Sequence, residues 1–295
     1  MIIVRLFGGL GNQMFQYALA RRLSLQHDVS LKLDISQFET YKLRRYSLNV
    51  FNIIEDFATE NDIARIKGKG FVSSRRPIEK LLPYYKRSCV YEKFSRFDPN
   101  ILKSPKNLYL AGHWQSERYF KEIEDIIRRE FTMRFKPDAN NERMIMLIKS
   151  ANAVSLHIRR ADYVTKAATN QFHGTCSITY YQQAVETITR KVSSPHFFVF
   201  SDDILWAKEN LTLKYPTEFI SYNNNTKDFE DLRLMTNCNH HIIANSTFSW
   251  WGAWLSSNPN KIVIAPKKWF NNTSIMEFDV DKDAIDLIPE DWIRV

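Results

Sequence analysis

The sequence predicts an α/β protein built from two Rossmann-like lobes. Three stretches carry that expectation. Met1 to Phe7 is strand-like and runs straight into Gly8-Gly9-Leu10-Gly11-Asn12-Gln13, after which Met14, Phe15, Ala18, Leu19 and Leu23 recur at helical spacing. In the middle of the chain, AVSLHIRRADYV (153–164) alternates Val154, Leu156 and Ile158 with Ser155, His157 and Arg159, the period of a strand, and ends in charge. Towards the end, HHIIAN runs into a hydroxyl-rich turn and an amphipathic helix. Strand, turn and helix in repeated series imply parallel sheets covered by helices.

In chain order, the glycine turn is the start of a dinucleotide-type unit, where glycines admit a ligand and the helix N-terminus offers N–H groups. The fingerprint is incomplete, because Met14 stands where a third glycine is needed. A second strand, Val29 to Leu33, ends at Asp34, about where a ribose-binding acid would sit in a dinucleotide enzyme. Thr59 is placed to cap a helix to Lys67, and Phe71 to Arg96 carries no clear pattern. A strand at Asn107 to Ala111 precedes Gly112-His113-Trp114-Gln115-Ser116-Glu117, and helices follow at Tyr119 to Phe131 and Asn141 to Ser150. Pro137 puts the crossing between lobes at about residues 132–152, giving a first lobe of 1–150, which would supply amides and the acceptor side, and a second of 151–295, whose strand ends suit a pyrophosphate. Beyond the central strand come a helix at Thr179 to Arg190, strands at His196 to Phe200, Phe219 to Tyr222 and Lys261 to Ala265, and a helix at Asp228 to Met235.

Composition narrows the partners. The 295 residues include 20 Phe, 13 Tyr and 7 Trp, enough for a substantial core. The net charge of +8 (41 basic less 33 acidic) favours an anionic partner, yet no nucleic-acid-binding pattern stands out. Three scattered cysteines and an N-terminus that opens as a strand read as a cytoplasmic protein, and no stretch reaches the length of a membrane span. Peripheral membrane contact through the basic region Lys67 to Arg96 stands as a hypothesis. Cys238, His240 and His241 lack a second ligand pair, so no metal site is read there.

The candidate site residues lie at the strand ends. Arg159 and Arg160 suit a diphosphate, because a guanidinium grips phosphate bidentately; an ion pair with Asp162 is the competing reading. His157 shares a face with Arg159. Asn12 and Gln13, beside Gly9 and Gly11, either bond a sugar in the cleft or, for Asn12, cap the helix. Glu117 is either a general base or a first-turn acid capped by Ser116. Asp202 binds a base or ribose, or it caps a helix, for which Asp203 is better placed. Asn245, Ser246, Thr247 and Ser249 form an anion site at a helix start.

His157-Ile158-Arg159-Arg160-Ala161-Asp162 resembles the H-x-R-R-x-D motif of α1,2- and α1,6-fucosyltransferases and protein O-fucosyltransferases. Gly8 to Ala18 (GGLGNQMFQYA), His113 to Glu117 (HWQSE) and Ala244 to Ala253 (ANSTFSWWGA) are similar to blocks of the bacterial α1,2-fucosyltransferases of glycosyltransferase family 11. The resemblance implies a GT-B fold, two Rossmann-like lobes facing a central cleft. It implies a GDP-β-L-fucose donor, a terminal galactoside acceptor such as lactose or a lipid-linked glycan, inversion, and no required metal or other cofactor. Arg159 would hold the pyrophosphate, Arg160 the loop or the second phosphate, and His157 the donor. Asp162 would orient an arginine, and Asn12 would contact the fucose or the attacking hydroxyl. A nucleotide-dependent oxidoreductase and a non-catalytic sugar-nucleotide binder are the alternatives from other classes.

Overall fold

A computed structural model describes residues 1–40, 43–68, 81–160, 174–224, 226–270 and 285–295. The chain separates into two compact units, Met1–Arg134 with Lys282–Pro289 and Phe135–Asp281 with Glu290–Val295. The division falls within the 132–152 stretch, on the N-terminal side of Pro137.

The first unit carries a four-stranded parallel sheet of β1 (Ile2–Arg5), β2 (Leu31–Asp34), β3 (Cys89–Tyr91) and β4 (Leu108–Ala111), in the order β2-β1-β4-β3. Helix α1 (Leu10–His27) leaves the end of β1 through the glycine turn, buries Met14, Phe15, Ala18, Leu19 and Leu23, and stops at Asp28 in the left-handed region. Helix α2 (Glu60–Lys67) starts from a reciprocal capping box between Thr59 and Asp62. The helix expected over Tyr119 to Phe131 is broken into two short 3-10 turns followed by α3 (Glu124–Glu130). Strand β3, hidden in the patternless 71–96 stretch, is the one strand of this sheet that the sequence did not reveal; its three residues are too few for a period.

The second unit carries a six-stranded parallel sheet: β5 (Asn152–Ile158), β6 (Pro195–Ser201), β7 (Thr217–Ile220), β8 (His240–Ile242), β9 (Val263–Ala265) and β10 (Ile293–Arg294), ordered β10-β9-β8-β5-β6-β7. Its helices are α4 (Ala139–Lys149), α5 (Ile178–Thr189), α6 (Ile204–Asn210), α7 (Asp228–Asn237) and α8 (Thr247–Leu255). Both faces of the sheet are covered, as parallel sheets require. Val154, Leu156 and Ile158 of β5 pack with Phe197 and Val199 against Tyr180, Tyr181, Ala184 and Ile188 of α5. Ala153, Phe198 and Phe200 point the other way, towards Ile148 of α4 and Leu234 and Met235 of α7. The alternation read from the sequence therefore sorts residues between two buried faces.

Helix α8 is fixed at its tail. The Lys261 ammonium donates to the carbonyls of Ala253, Trp254 and Ser256 at 2.8, 3.0 and 3.0 Å, at the end of the helix where cations are favoured. It also meets α7 closely at Gly252, where an added Cβ would lie 2.9 Å from the Cβ of Met235. Among the described residues no helix is long and apolar enough to cross a membrane.

Gly252→Ala sets about 1 kcal/mol of gained helix propensity against about 1–3 kcal/mol of overpacking. The contact is with a backbone-proximal carbon, which cannot swing away, so the upper end of that penalty applies. The urea midpoint of the variant should fall below that of the wild type.

Candidate functional site

The end of β5 brings two arginines next to two acids. The register Ile158↔Ser201 sets the end of β5 beside the end of β6. Arg159 Nη1 lies 2.9 Å from Asp202 Oδ2, and the Arg160 backbone N–H donates to Asp202 Oδ1 at 2.8 Å. The Arg160 side chain pairs with Asp203 at 3.4 Å and lies over the Trp206 ring, 3.8 Å from its centroid. Asp203 also caps α6 by accepting from the Trp206 N–H. The acids that hold the arginines therefore come from the neighbouring strand end. Asp162, the expected orienting acid, lies outside the described residues. Asp202, expected to face a base or ribose, has both oxygens on the arginine segment.

His157 is buried beneath these arginines. Its Nδ1 has no hydrogen-bond partner, and its ring leans on Phe248 in the first turn of α8, with centroids 5.7 Å apart. Burial, and then the charge of Arg159, push its pKa down to about 3. The imidazole is neutral at neutral pH, and its Nδ1 is a buried polar atom without a protein partner. On the same face, Ser155 Oγ meets His241 Nδ1 at 2.8 Å, and burial also holds His241 neutral.

At the start of α8, Ser246 is the N-cap, accepting from the Phe248 N–H at 3.4 Å. Ser249 is buried and donates back to the Ser246 carbonyl at 3.3 Å. The Asn245 amide donates to the Gly174 and Trp269 carbonyls, both at 3.1 Å, and its Oδ1 accepts from Cys176. These contacts correct the expectation of four ligand-facing side chains. Asn245 braces the loops, Ser249 belongs to its helix, and Ser246 caps. Thr247, the first helical residue, stands at the turn where the α8 N–H groups begin. Cys238, His240 and His241 have separate partners: the Leu234 carbonyl, the Ile262 N–H and Ser155.

The first unit has its own polar cluster at the end of β1. Gly8 adopts φ +77°, and a Cβ there would lie 2.7 Å from Asn12 Nδ2, so the turn needs glycine at that position. The N-cap of α1 is Gly9, not Asn12, and Gly11 is buried within the first turn. Asn12 Oδ1 accepts from Gln115 Nε2 at 3.0 Å, which joins the glycine turn to the segment after β4. Gln13 is fully buried. Its Nε2 donates to the Gly8 and Arg45 carbonyls at 2.9 and 2.8 Å, and its Oε1 accepts from the Ser47 N–H at 2.9 Å. That corrects the expectation of a sugar-binding amide: every hydrogen-bonding position of Gln13 that meets these loops holds backbone. Asp34, at the end of β2, accepts from the Tyr109 hydroxyl at 2.6 Å and the Ser36 N–H at 3.1 Å. Glu117 opens a 3-10 turn capped by Ser116 and pairs with Lys121 at 3.3 Å.

Two acids escaped the sequence reading. Glu92, just past β3, is pushed up to about 7 by burial, against the pull of the two backbone N–H groups it accepts. Asp231 in α7 is also raised to about 7 by burial, although Asn223 donates to it at 2.8 Å; the neighbouring acids Asp228 and Glu230 add to the rise. Asp231 is one of three acids in the first turn of its helix, and Glu92 lies in a segment without a period. Neither position had a sequence signal.

Comparison with known proteins decides the class. The model of "Glycosyl transferase family 11" matches residues 1–293. The chain belongs to glycosyltransferase family 11. This family 11 enzyme is 36% identical to an Escherichia coli alpha-1,2-colitosyltransferase over 302 residues, covering 100% of this chain and 98% of the relative. It is 35% identical to the E. coli O-antigen biosynthesis glycosyltransferase WbnK, covering 93% and 97%. Human galactoside alpha-(1,2)-fucosyltransferase 1 is 27% identical over 158 residues, 50% of this chain and 43% of the human one. Among solved structures, fucosyltransferase NodZ from Bradyrhizobium superposes with a TM-score of 0.53 at 13% identity, covering 85% of this chain and 90% of that one. That likeness supports the expected GT-B fold class of this family 11 enzyme.

The burial of His157 has a signed consequence for stability. The unfolded chain takes up a proton below its ordinary pKa of about 6.5. The folded enzyme refuses that proton until about pH 3. Stability from this residue is therefore present above pH 6.5 and is lost as the pH falls through that window. His157→Gln should show a shallower loss of melting temperature between pH 6.5 and 4 than the wild type; an unchanged slope would contradict the assignment.

Proposed function

We propose that this enzyme transfers L-fucose from GDP-β-L-fucose to the 2-hydroxyl of a terminal β-galactoside, with inversion and without a metal ion. The observation that supports it most is Arg159, held by Asp202 at the end of β5 and beside neutral His157, within the same unit as the α8 N-terminus. As the bond from C1 to the diphosphate oxygen breaks, charge grows on GDP. Arg159, Arg160 and the N–H groups of α8 offset that charge in this reading, the task a divalent ion performs elsewhere. The acceptor oxygen bonds to C1 from the opposite face as the C1–diphosphate bond breaks, and its proton passes to solvent water.

In this reading Arg159 and the Thr247 end of α8 bind the diphosphate, and Arg160, stacked on Trp206, fixes the turn. Asp202 orients Arg159, and His157 offers its open nitrogen to the donor. Asn12 contacts the sugar or the attacking hydroxyl. An amide is too weak a base to take the proton, and Glu117 is tied to Lys121, so proton loss comes late on a loose, oxocarbenium-like path.

A second donor is favoured by one observation, the 36% identity to a colitosyltransferase. Colitose is fucose without the 3-hydroxyl. A site built to bond that hydroxyl rejects the deoxy sugar strongly, whereas an apolar site discriminates weakly.

The experiment is GDP release from GDP-fucose with lactose and a panel of β-galactosides, in EDTA, for the wild type, Arg159→Ala and Glu117→Gln. Release that depends on acceptor and survives EDTA is expected. Arg159→Ala should lose about 100-fold or more, and Glu117→Gln should keep near-full turnover. Release from GDP-colitose but not GDP-fucose would transfer the reading to the second donor, and no release with any galactoside would defeat it.

A further inference from the structure

The Glu92 carboxylate organises the turn that follows β4. Glu92 directly follows β3, and its N–H donates to the Ala111 carbonyl at 2.9 Å, which places it beside the end of β4. Its two oxygens accept from two successive backbone groups, the N–H of His113 at 2.6 Å and that of Trp114 at 2.9 Å. Successive N–H groups converging on an anion form a backbone nest, and here the anion belongs to the chain itself. The turn is strained for it. Trp114 sits at φ +57°, in the left-handed region that a non-glycine residue rarely occupies. A Cβ on Gly112 would fall 2.4 Å from the Cβ of Glu92 and 2.8 Å from the Trp114 ring, so glycine alone fits. The next residue out of the turn is Gln115, whose amide donates to Asn12 Oδ1 at 3.0 Å. Glu92, the turn 112–114, Gln115 and Asn12 thus form one continuous chain of contacts within the first unit.

We infer that Glu92 is a positioning residue: through the Gly112–Gln115 turn its carboxylate sets the amide of Asn12 that faces the sugar or its acceptor. This rests on the transferase reading above. Glu92 itself touches no substrate. Its grip needs both oxygens as acceptors, and a proton on either converts one into a donor facing an N–H.

The charged and titratable groups around it do not compensate. Tyr119 from the 3-10 turn accepts from the Asp98 N–H at 2.9 Å, and the charges of Glu92, Asp98 and Asp286 add to the burial that holds its hydroxyl protonated. Lys93, next in sequence, holds its ammonium over the Tyr84 ring, 4.3 Å from the centroid, and the His113 ring packs edge-on to Phe7 at 4.8 Å. Burial raises the Glu92 carboxyl from its ordinary value to about 7. The ionised form is therefore lost as the pH falls through neutrality, and the turn loosens on the acid side.

The test is kcat/KM for the galactoside against pH from 5.5 to 8.5, with GDP affinity measured separately by calorimetry. For the wild type, kcat/KM should fall on the acid side with a limb near pH 7. Glu92→Gln, which can accept at one position only, should lose about tenfold or more in acceptor kcat/KM at pH 8 and lose the limb, with GDP affinity within about twofold of wild type. Glu92→Asp, which keeps two oxygens, should retain a limb and recover part of the rate. Combining Glu92→Gln with Asn12→Ala should cost no more than Asn12→Ala alone, because the two act in one chain. A Glu92→Gln enzyme with the wild-type limb, or one whose GDP affinity falls in parallel, overturns the inference. Should the wild type turn over no galactoside, the transferase reading fails, and the turn is judged by hydrogen exchange at residues 112–116. Exchange must quicken in Glu92→Gln at fixed pH, and an unchanged rate defeats the turn as well.

Discussion

Asp202 holds both ends of a contact that the second unit cannot do without. One of its oxygens faces the Arg159 guanidinium and the other receives the Arg160 N–H. Two consecutive arginines at the end of a buried strand repel each other and lose solvation, so they persist there only when paired. The pairing is possible because β5 and β6 are parallel and in register through Ile158 and Ser201, which ends both strands at the same level. Asp203 then takes Arg160 and caps α6 at once, and Trp206 lies under the same guanidinium. Helix start and cation geometry follow from one pair of neighbouring acids, which the sheet register brings within reach.

Much of this was legible in the residues. The glycine turn, the alternation in β5 and the hydroxyl-rich start of α8 each mark a strand end entering a helix, and they lie where the sequence places them. What the sequence could not assign was the direction of polar side chains. Gln13 and Asn12 are adjacent amides of similar chemistry, yet one is entirely buried among the carbonyls of Gly8 and Arg45 while the other joins Gln115. That difference depends on a loop more than thirty residues away, which no local pattern encodes. The hydroxyls of Ser246 and Ser249 are alike in the same sense: a serine at a helix start reads as an anion ligand or as a cap until its neighbours are known.

Glu92 shows a second limit. Its strand has only three residues, and its partner N–H groups lie 21 and 22 residues on. A single acid between Tyr91 and Lys93 reads as solvated charge, and only the parallel pairing of β3 with β4 turns it towards the backbone. The positive φ of Trp114 is equally silent in sequence, since a tryptophan gives no warning of left-handed backbone.

Helix α8 enters its work already formed. A short helix in isolation frays, and a ligand that must first wind it gives up binding energy to do so. Here Lys261 grips three carbonyls at its far end, and Gly252 seats it against Met235. The tail pole is neutralised from within, while the N-terminal pole keeps its partial positive charge. The helix therefore acts as a standing electrode: its field at the Ser246–Thr247 end is set before any anion arrives, and an anion that settles there has no disorder to remove.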